Sequence, residues 1–382
     1  MFEKTKAFCE TFPGMGVPGY DLAVYKDGEC ILRTMGGYAD LENRVPVQGS
    51  EVYNIYSCSK PITCAAAMQL WEKGLYALDN RLSDYMPEFA EMTVRTEDGV
   101  RKAEKPILVR HLFEMTAGFD YNTASPSVKE AQAATGGRCP TRETMRWIAK
   151  EPLCFEPGAQ WNYSLCHDVL AAFVEVVSGM RFHEYVKQNI FDPLGMTHST
   201  FLLDDGALDT IACQYRWDAE KKQAVNCGKR IQSYKLGSEY ASGGAGCIST
   251  VDDYIRFLEA MRKGDSILKR ETIALMATDR LTEEQSQTYW TRETHGYGLG
   301  LRTPRAGGIF SDFGWGGAAG AFLAVDVKNG ISLYHAQHML SSPNHEIRSW
   351  LYRFVMAEYF GKPEFKKLIN ESALPEAVKF TD

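Results

Sequence analysis

Residues 52–74 read Val52-Tyr53-Asn54-Ile55-Tyr56-Ser57-Cys58-Ser59-Lys60-Pro61-Ile62-Thr63-Cys64-Ala65-Ala66-Ala67-Met68-Gln69-Leu70-Trp71-Glu72-Lys73-Gly74. The first five are aromatic, β-branched or polar in the manner of an extended chain. Pro61 is tolerated only in the first turn of a helix, and Gly74 suits a helix end. The stretch therefore predicts extended chain, then a helix of about four turns that starts near Ser57. Ser57 and Lys60, three apart, share one face of that helix. There the hydroxyl lies near free backbone N–H groups and the positive end of the dipole. An ammonium one turn away can steer a proton that a lone serine would keep. The same residues also suit an N-cap serine followed by a surface lysine. Ser266-Ile267-Leu268-Lys269 repeats the spacing after the polar break Arg262-Lys263-Gly264-Asp265, where it reads as coincidence.

Outward from this stretch, two hairpins are legible. Asp21–Tyr25 and Cys30–Ala39 flank Lys26-Asp27-Gly28-Glu29, and 321–327 and 331–336 flank Lys328-Asn329-Gly330. A closing helix is expected over about 344–360, with Ile347, Trp350, Leu351, Phe354 and Val355 on one stripe. Between the hairpins, 109–115, 141–150, 166–178, 182–191 and 251–263 read as helices separated by Pro and Gly loops. Strands at both ends with helices between them predict an α/β (α+β) fold. An antiparallel sheet would be built from both termini, with a helical lobe inserted. The chain is read as one catalytic domain over 1–382. The sheet lobe covers about 1–56 and 290–382, and the helical lobe about 57–289. A cleft between them is the natural place for a site.

The chain has 382 residues, 45% hydrophobic and 24% charged, with a net charge of -7. That composition is ordinary for a globular protein, and without a basic stripe it argues against nucleic acid as a partner. No apolar run is long enough to span a membrane. Met1-Phe2-Glu3-Lys4-Thr5-Lys6 has no signal-peptide h-region, and ten scattered cysteines form no Cys-x-x-Cys pair. The expected location is the cytoplasm, with reduced thiols. Gly14-Met15-Gly16-Val17-Pro18-Gly19 matches a dinucleotide-binding spacing, but a strand is expected after it instead of a helix. His335 and His338, on or beyond a strand without a carboxylate partner, read as packing or surface residues.

Two further stretches bear on chemistry. Glu156-Pro157-Gly158-Ala159-Gln160-Trp161-Asn162-Tyr163-Ser164 is a loop that ends at a helix. A tyrosinate near an ammonium takes a serine proton and later returns it, although Tyr163 also fits as an ordinary half-buried tyrosine. Gly314-Trp315-Gly316-Gly317-Ala318-Ala319-Gly320 leads into the 321–327 strand. Glycines before an edge strand let backbone N–H groups approach a ligand, and they also suit a simple bend.

As a set, these pieces resemble the serine β-lactamase superfamily, in its class C β-lactamase and penicillin-binding-protein-like carboxylesterase branch. Ser57-x-x-Lys60, Tyr163-Ser164 and Trp315-Gly316-Gly317 stand in that family's order. So do Val109–Gly118, Pro193–Met196, Ala241–Gly246 and Gly296–Gly300. The resemblance implies Ser57 as nucleophile, Lys60 and Tyr163 as its proton-handling partners, and the N–H groups of Ser57 and Ala318 as oxyanion hole. Leu165, Trp315, Gly316 and Gly317 would meet the substrate. Lactamases of this type usually carry Asn where Leu165 stands and Lys-Thr-Gly where Trp315-Gly316-Gly317 stands. Loss of an amide and a cation counts against β-lactam turnover. The expected function is therefore acyl-enzyme hydrolysis of small esters, with no metal or cofactor. The alternatives are a β-lactamase, a D-amino-acid peptidase or amide hydrolase with the same residues, and a non-catalytic binding module of the same fold.

Overall fold

Asp27 and Gly28 both take positive φ, 51° and 94°. A two-residue hairpin turn that follows the right-handed twist of its strands needs that backbone. It folds Gly19–Lys26 onto Glu29–Asp40 with Lys26 opposite Glu29. The second hairpin pairs Phe322–Asp326 with Ile331–Gln337. Strand Ile331–Gln337 also runs antiparallel to Gly19–Lys26, with Ala23 opposite Tyr334. Both parts of the chain thus meet in one eight-stranded antiparallel sheet. Its order is His295–Tyr297, Arg302–Pro304, Phe313–Gly316, Phe322–Asp326, Ile331–Gln337, Gly19–Lys26, Glu29–Asp40, Val45–Pro46. The computed structural model describes residues 1–202, 211–229 and 234–380.

Alternation along the strands sorts their side chains onto two faces. Leu22, Val24 and Leu333 join a core with Phe8, Phe12 and Phe354, from helices Glu3–Gly14 and Trp350–Glu358. Ala23, Leu323, Val325 and Tyr334 face the opposite core, which includes helix Val251–Lys263. Helix Ser59–Glu72 lies in that second core, packed on Cys166–Ser178. It is buried from Ser59 through Met68, and the small residues Ala65, Ala66 and Ala67 let neighbours approach on every side.

Several expectations shift. Helices Cys166–Ser178 and Val251–Lys263 match the predicted bounds. The 182–191 helix is instead Phe182–Val186 followed by a wider π turn at Lys187–Phe191, and the closing helix begins at Trp350 because 344–349 form turns. The middle is less helical than expected. It carries the hairpins Thr93–Thr96/Gly99–Lys102 and Gln214–Asp218/Gln223–Gly228, whose exposed faces weaken the apolar alternation. Helix Glu3–Gly14 escaped the sequence reading because Phe8, Cys9 and Phe12 occupy too few turns to show a period. Strand Phe322–Asp326 is internal, not an edge, because 313–316 form a strand of their own beside it. Gly14 ends a helix and Gly19 opens a strand, the reverse of a dinucleotide motif. Ser266 and Lys269 lie in an irregular segment before helix Arg270–Met276, so their spacing is coincidental. His335 and His338 are fully buried packing residues.

Candidate active site

Strand Tyr53–Asn54 pairs with Ile248–Ser249 and ends at a tight turn, Tyr56–Cys58, that leads into helix Ser59–Glu72. Tyr56 adopts φ 47°, a left-handed backbone that costs a non-glycine residue about 1 kcal/mol or more. The turn is held from several sides. Ser59 Oγ donates to Tyr56 O (2.5 Å) and accepts from Cys247 N–H (3.0 Å). Tyr254 OH donates to Cys58 O (2.6 Å). Ser59 is thereby engaged elsewhere and Cys58 is fully buried, so Ser57 Oγ is the hydroxyl the turn presents.

The loop before helix Cys166–Ser178 brings Tyr163 against it. Tyr163 OH and Ser57 Oγ share a hydrogen bond. Lys60 Nζ donates to Ser57 Oγ (3.4 Å) and to Gly244 O (2.8 Å), and lies 4.4 Å from the Tyr163 ring centroid. Serine, lysine and tyrosine, 106 residues apart at the extremes, converge on one hydroxyl. Lys60 is wholly buried.

Residues that the sequence reading missed surround this ammonium. Asp168, one turn into the helix after Tyr163, is buried and accepts from Tyr240 OH (2.8 Å) and Ser242 Oγ (2.6 Å). Burial raises its carboxyl above the usual range, opposed by Ser242 and by Lys60. Asp168 Oδ2 faces Gly244. A Cβ on Gly244 would sit 2.5 Å from that oxygen, 3.2 Å from Tyr121 OH and 3.4 Å from Lys60 Nζ. Only glycine leaves room there. The spacing Tyr163–Asp168 carries no signal by itself, since a helix N-terminus ordinarily accepts an acidic residue. Burial pushes the phenols of Tyr121 and Tyr240 well up, so both remain protonated. His167 lies behind Lys60 against Cys64 and Phe113 O, and burial and Lys60 lower it to about 3. It is neutral and buried, which fits packing and not a histidine base for Ser57.

The glycine-rich segment lies beside the turn. Strand Phe313–Gly316 packs on 56–58. A Cβ on Gly317 would lie 2.4 Å from Ile55 O, so this close approach requires glycine. Gly316 faces the Arg348 guanidinium, 3.0 Å from where its Cβ would stand. Ala318 packs against Tyr56 in a small cluster with Ala319 and Leu340. Trp315 stacks on Tyr163 with centroids 6.0 Å apart and meets Tyr297 edge-on at 5.3 Å. Tyr121 covers Tyr163 from another side at 5.2 Å. Leu165 is placed differently. It lines a separate small cavity with Phe119, Asp120, Ile148 and Glu151, and at 3% exposure offers a substrate almost no surface.

A family model described as Beta-lactamase matches residues 9–351. Protein Rv1367c of Mycobacterium tuberculosis is 29% identical over 330 residues, covering 79% of this chain and 81% of that protein. Esterase EstB of Burkholderia gladioli is 29% identical over 336 residues, covering 81% and 83%. Among solved structures, EstCE1, described as a hydrolase with promiscuous acyltransferase activity, superposes with a TM-score of 0.75. It shares 25% identity, covering 92% of this chain and 97% of its own. The chain belongs to the beta-lactamase family and has its β-lactamase/transpeptidase-like fold.

Proposed function

We propose that this protein is a carboxylesterase that works through an acyl-enzyme on small esters. The observation that carries the reading is the convergence of Tyr163 OH and Lys60 Nζ on Ser57 Oγ. Ser57 Oγ attacks the ester carbonyl carbon while its proton passes to the Tyr163–Lys60 pair. The N–H groups of Ser57 and Ala318 receive the oxyanion. The carbon–oxygen bond to the alcohol then breaks, and the alcohol leaves with the proton returned by the pair. Water repeats the sequence on the acyl-enzyme, releases the acid and restores the serine. No step requires a metal or cofactor.

Ester preference over β-lactam rests on Trp315, where lactamases of this type carry a lysine. An indole stacked on Tyr163 brings no cation to a substrate carboxylate. The likeness to esterase EstB supports the same choice. Ser57→Ala is expected to abolish hydrolysis of p-nitrophenyl butyrate, and wild type is expected to turn over nitrocefin far more slowly. Undiminished ester turnover by Ser57→Ala defeats the assignment. Faster nitrocefin turnover moves it to the amide-hydrolase alternative, and failure of a fluorophosphonate to label Ser57 moves it to the binding module.

Transfer of the acyl group to an added alcohol is a second reading, favoured by the aromatic walls around Tyr163 and by the likeness to EstCE1. All ten cysteines are free, which supports a reducing compartment such as the cytoplasm. No helix among the described residues is long and apolar enough to cross a membrane.

A further inference from the structure

Trp290 stands apart from the other tryptophans. Its relative exposure is 65%, whereas the remaining six are buried or half-buried. Single exposed apolar residues are ordinary on a protein surface. This one, however, lies over the catalytic candidate: its ring centroid is 4.9 Å from Tyr163 and 5.0 Å from Trp161.

The segment that carries the indole is also held in place. Thr288 Oγ1 accepts from Trp161 N–H (3.1 Å) and donates to Trp161 O (2.7 Å), which latches the 285–290 segment to the Tyr163 loop. Gln285 Nε2 adds a bond to Gly158 O (2.8 Å). The adjacent Tyr289 is buried against Trp161 and Tyr297. A fixed aromatic surface that remains open to solvent loses little freedom when a ligand covers it.

We propose that Trp290 is the platform for the alcohol half of the ester, and that this half is a flat aryl or fused-ring group. The proposal rests on the esterase reading above. In that reading Tyr163 returns the proton to the departing oxygen, so the substituent on that oxygen leaves past the Tyr163 ring. The carbonyl oxygen points instead to the N–H groups of Ser57 and Ala318. The planes of Tyr163 and Trp290 meet at 48°. A planar ring laid on the exposed part of the Trp290 indole, beside Tyr163, makes an offset or edge contact with it, the arrangements that aromatic pairs favour. An alkyl group has no such complementarity.

The test compares 2-naphthylmethyl acetate with ethyl acetate, whose acyl halves are identical. Trp290→Leu is expected to lower kcat/KM for the naphthylmethyl ester by about tenfold, mainly through KM, and to change ethyl acetate by less than about twofold. Trp290→Phe is expected to retain most of the preference. Inhibition by 2-naphthylmethanol should weaken in Trp290→Leu by the same factor. Equal losses on both esters overturn the proposal, as does a selective loss on ethyl 2-naphthylacetate, which carries the ring on the acyl side. Calorimetric binding of 2-naphthylmethanol to Ser57→Ala, with and without Trp290→Leu, separates the two readings. If Ser57→Ala still hydrolyses esters, the nucleophile assignment fails, and Trp290-dependent binding of the alcohol still stands or falls by itself.

Discussion

The charge arrangement around Lys60 decides how its ammonium is supported. Asp168 Oδ2 and Lys60 Nζ flank Gly244 at no more than about 6 Å, where two unit charges interact by about 3 kcal/mol at an effective dielectric near 20. Asp168→Asn keeps the shape and the acceptor for Ser242 and Tyr240 but removes the charge. It is expected to lower kcat/KM for p-nitrophenyl butyrate by roughly tenfold to a hundredfold, mostly in kcat. Steady-state rates and melting curves of the same preparation check this. A loss confined to stability would make Asp168 a packing residue. Tyr163→Phe is expected to be more severe, because it removes the hydroxyl that meets Ser57 Oγ directly. A drop of about a thousandfold or more in the same assay is the outcome expected for loss of a general base.

At the scale of elements, the site depends on how closely the glycine segment approaches the serine turn. A methyl group on Gly317 would meet the Ile55 carbonyl at 2.4 Å, and a backbone oxygen cannot swing away as a side-chain tip can. Gly317→Ala should therefore separate the strand from the turn. The expected result is a folded protein, destabilised by about 1–3 kcal/mol, with ester hydrolysis reduced far more than stability. Urea titration and rate measurement together test it. Helix Glu3–Gly14 contributes through Phe8, which is fully buried and stacks on Phe354 at 4.5 Å. Phe8→Ala is expected to cost about 3–5 kcal/mol by leaving a cavity between the two helices that cover the sheet. Equilibrium unfolding measures that loss directly.

Over the whole molecule, buried imidazoles set the acid limit of stability. His167, His335 and His338 are fully buried, and burial lowers them to about 3, 4 and 4. A neutral buried imidazole binds fewer protons than the unfolded one, whose pKa is about 6.5. Their stabilising contribution is complete above that value and is lost as pH falls toward the folded values. Each removes about 1.4 kcal/mol per pH unit across that window. The melting temperature is expected to be nearly flat from pH 7 to 8 and to fall steeply between pH 6.5 and 4. A flat melting temperature down to pH 4.5 would contradict this assignment of neutral histidines.

The sequence by itself determined the elements whose signals are local. Pro61 and Gly74 bracket the helix, Asp27-Gly28 makes the turn, and the three-residue spacing brings Ser57, in the turn before the helix, near Lys60 in its first turn. Tyr163 and Trp315 were legible only through a resemblance, since neither has a local reason to be near Ser57. Tertiary structure decided the rest. It placed Asp168 and Gly244 beside Lys60, turned Leu165 into its own cavity, and set Trp290 over Tyr163 through the Thr288–Trp161 latch. These positions follow from packing between segments up to 184 residues apart. Burial, close approach and charge compensation arise only when such segments meet, and no window of neighbouring residues records them.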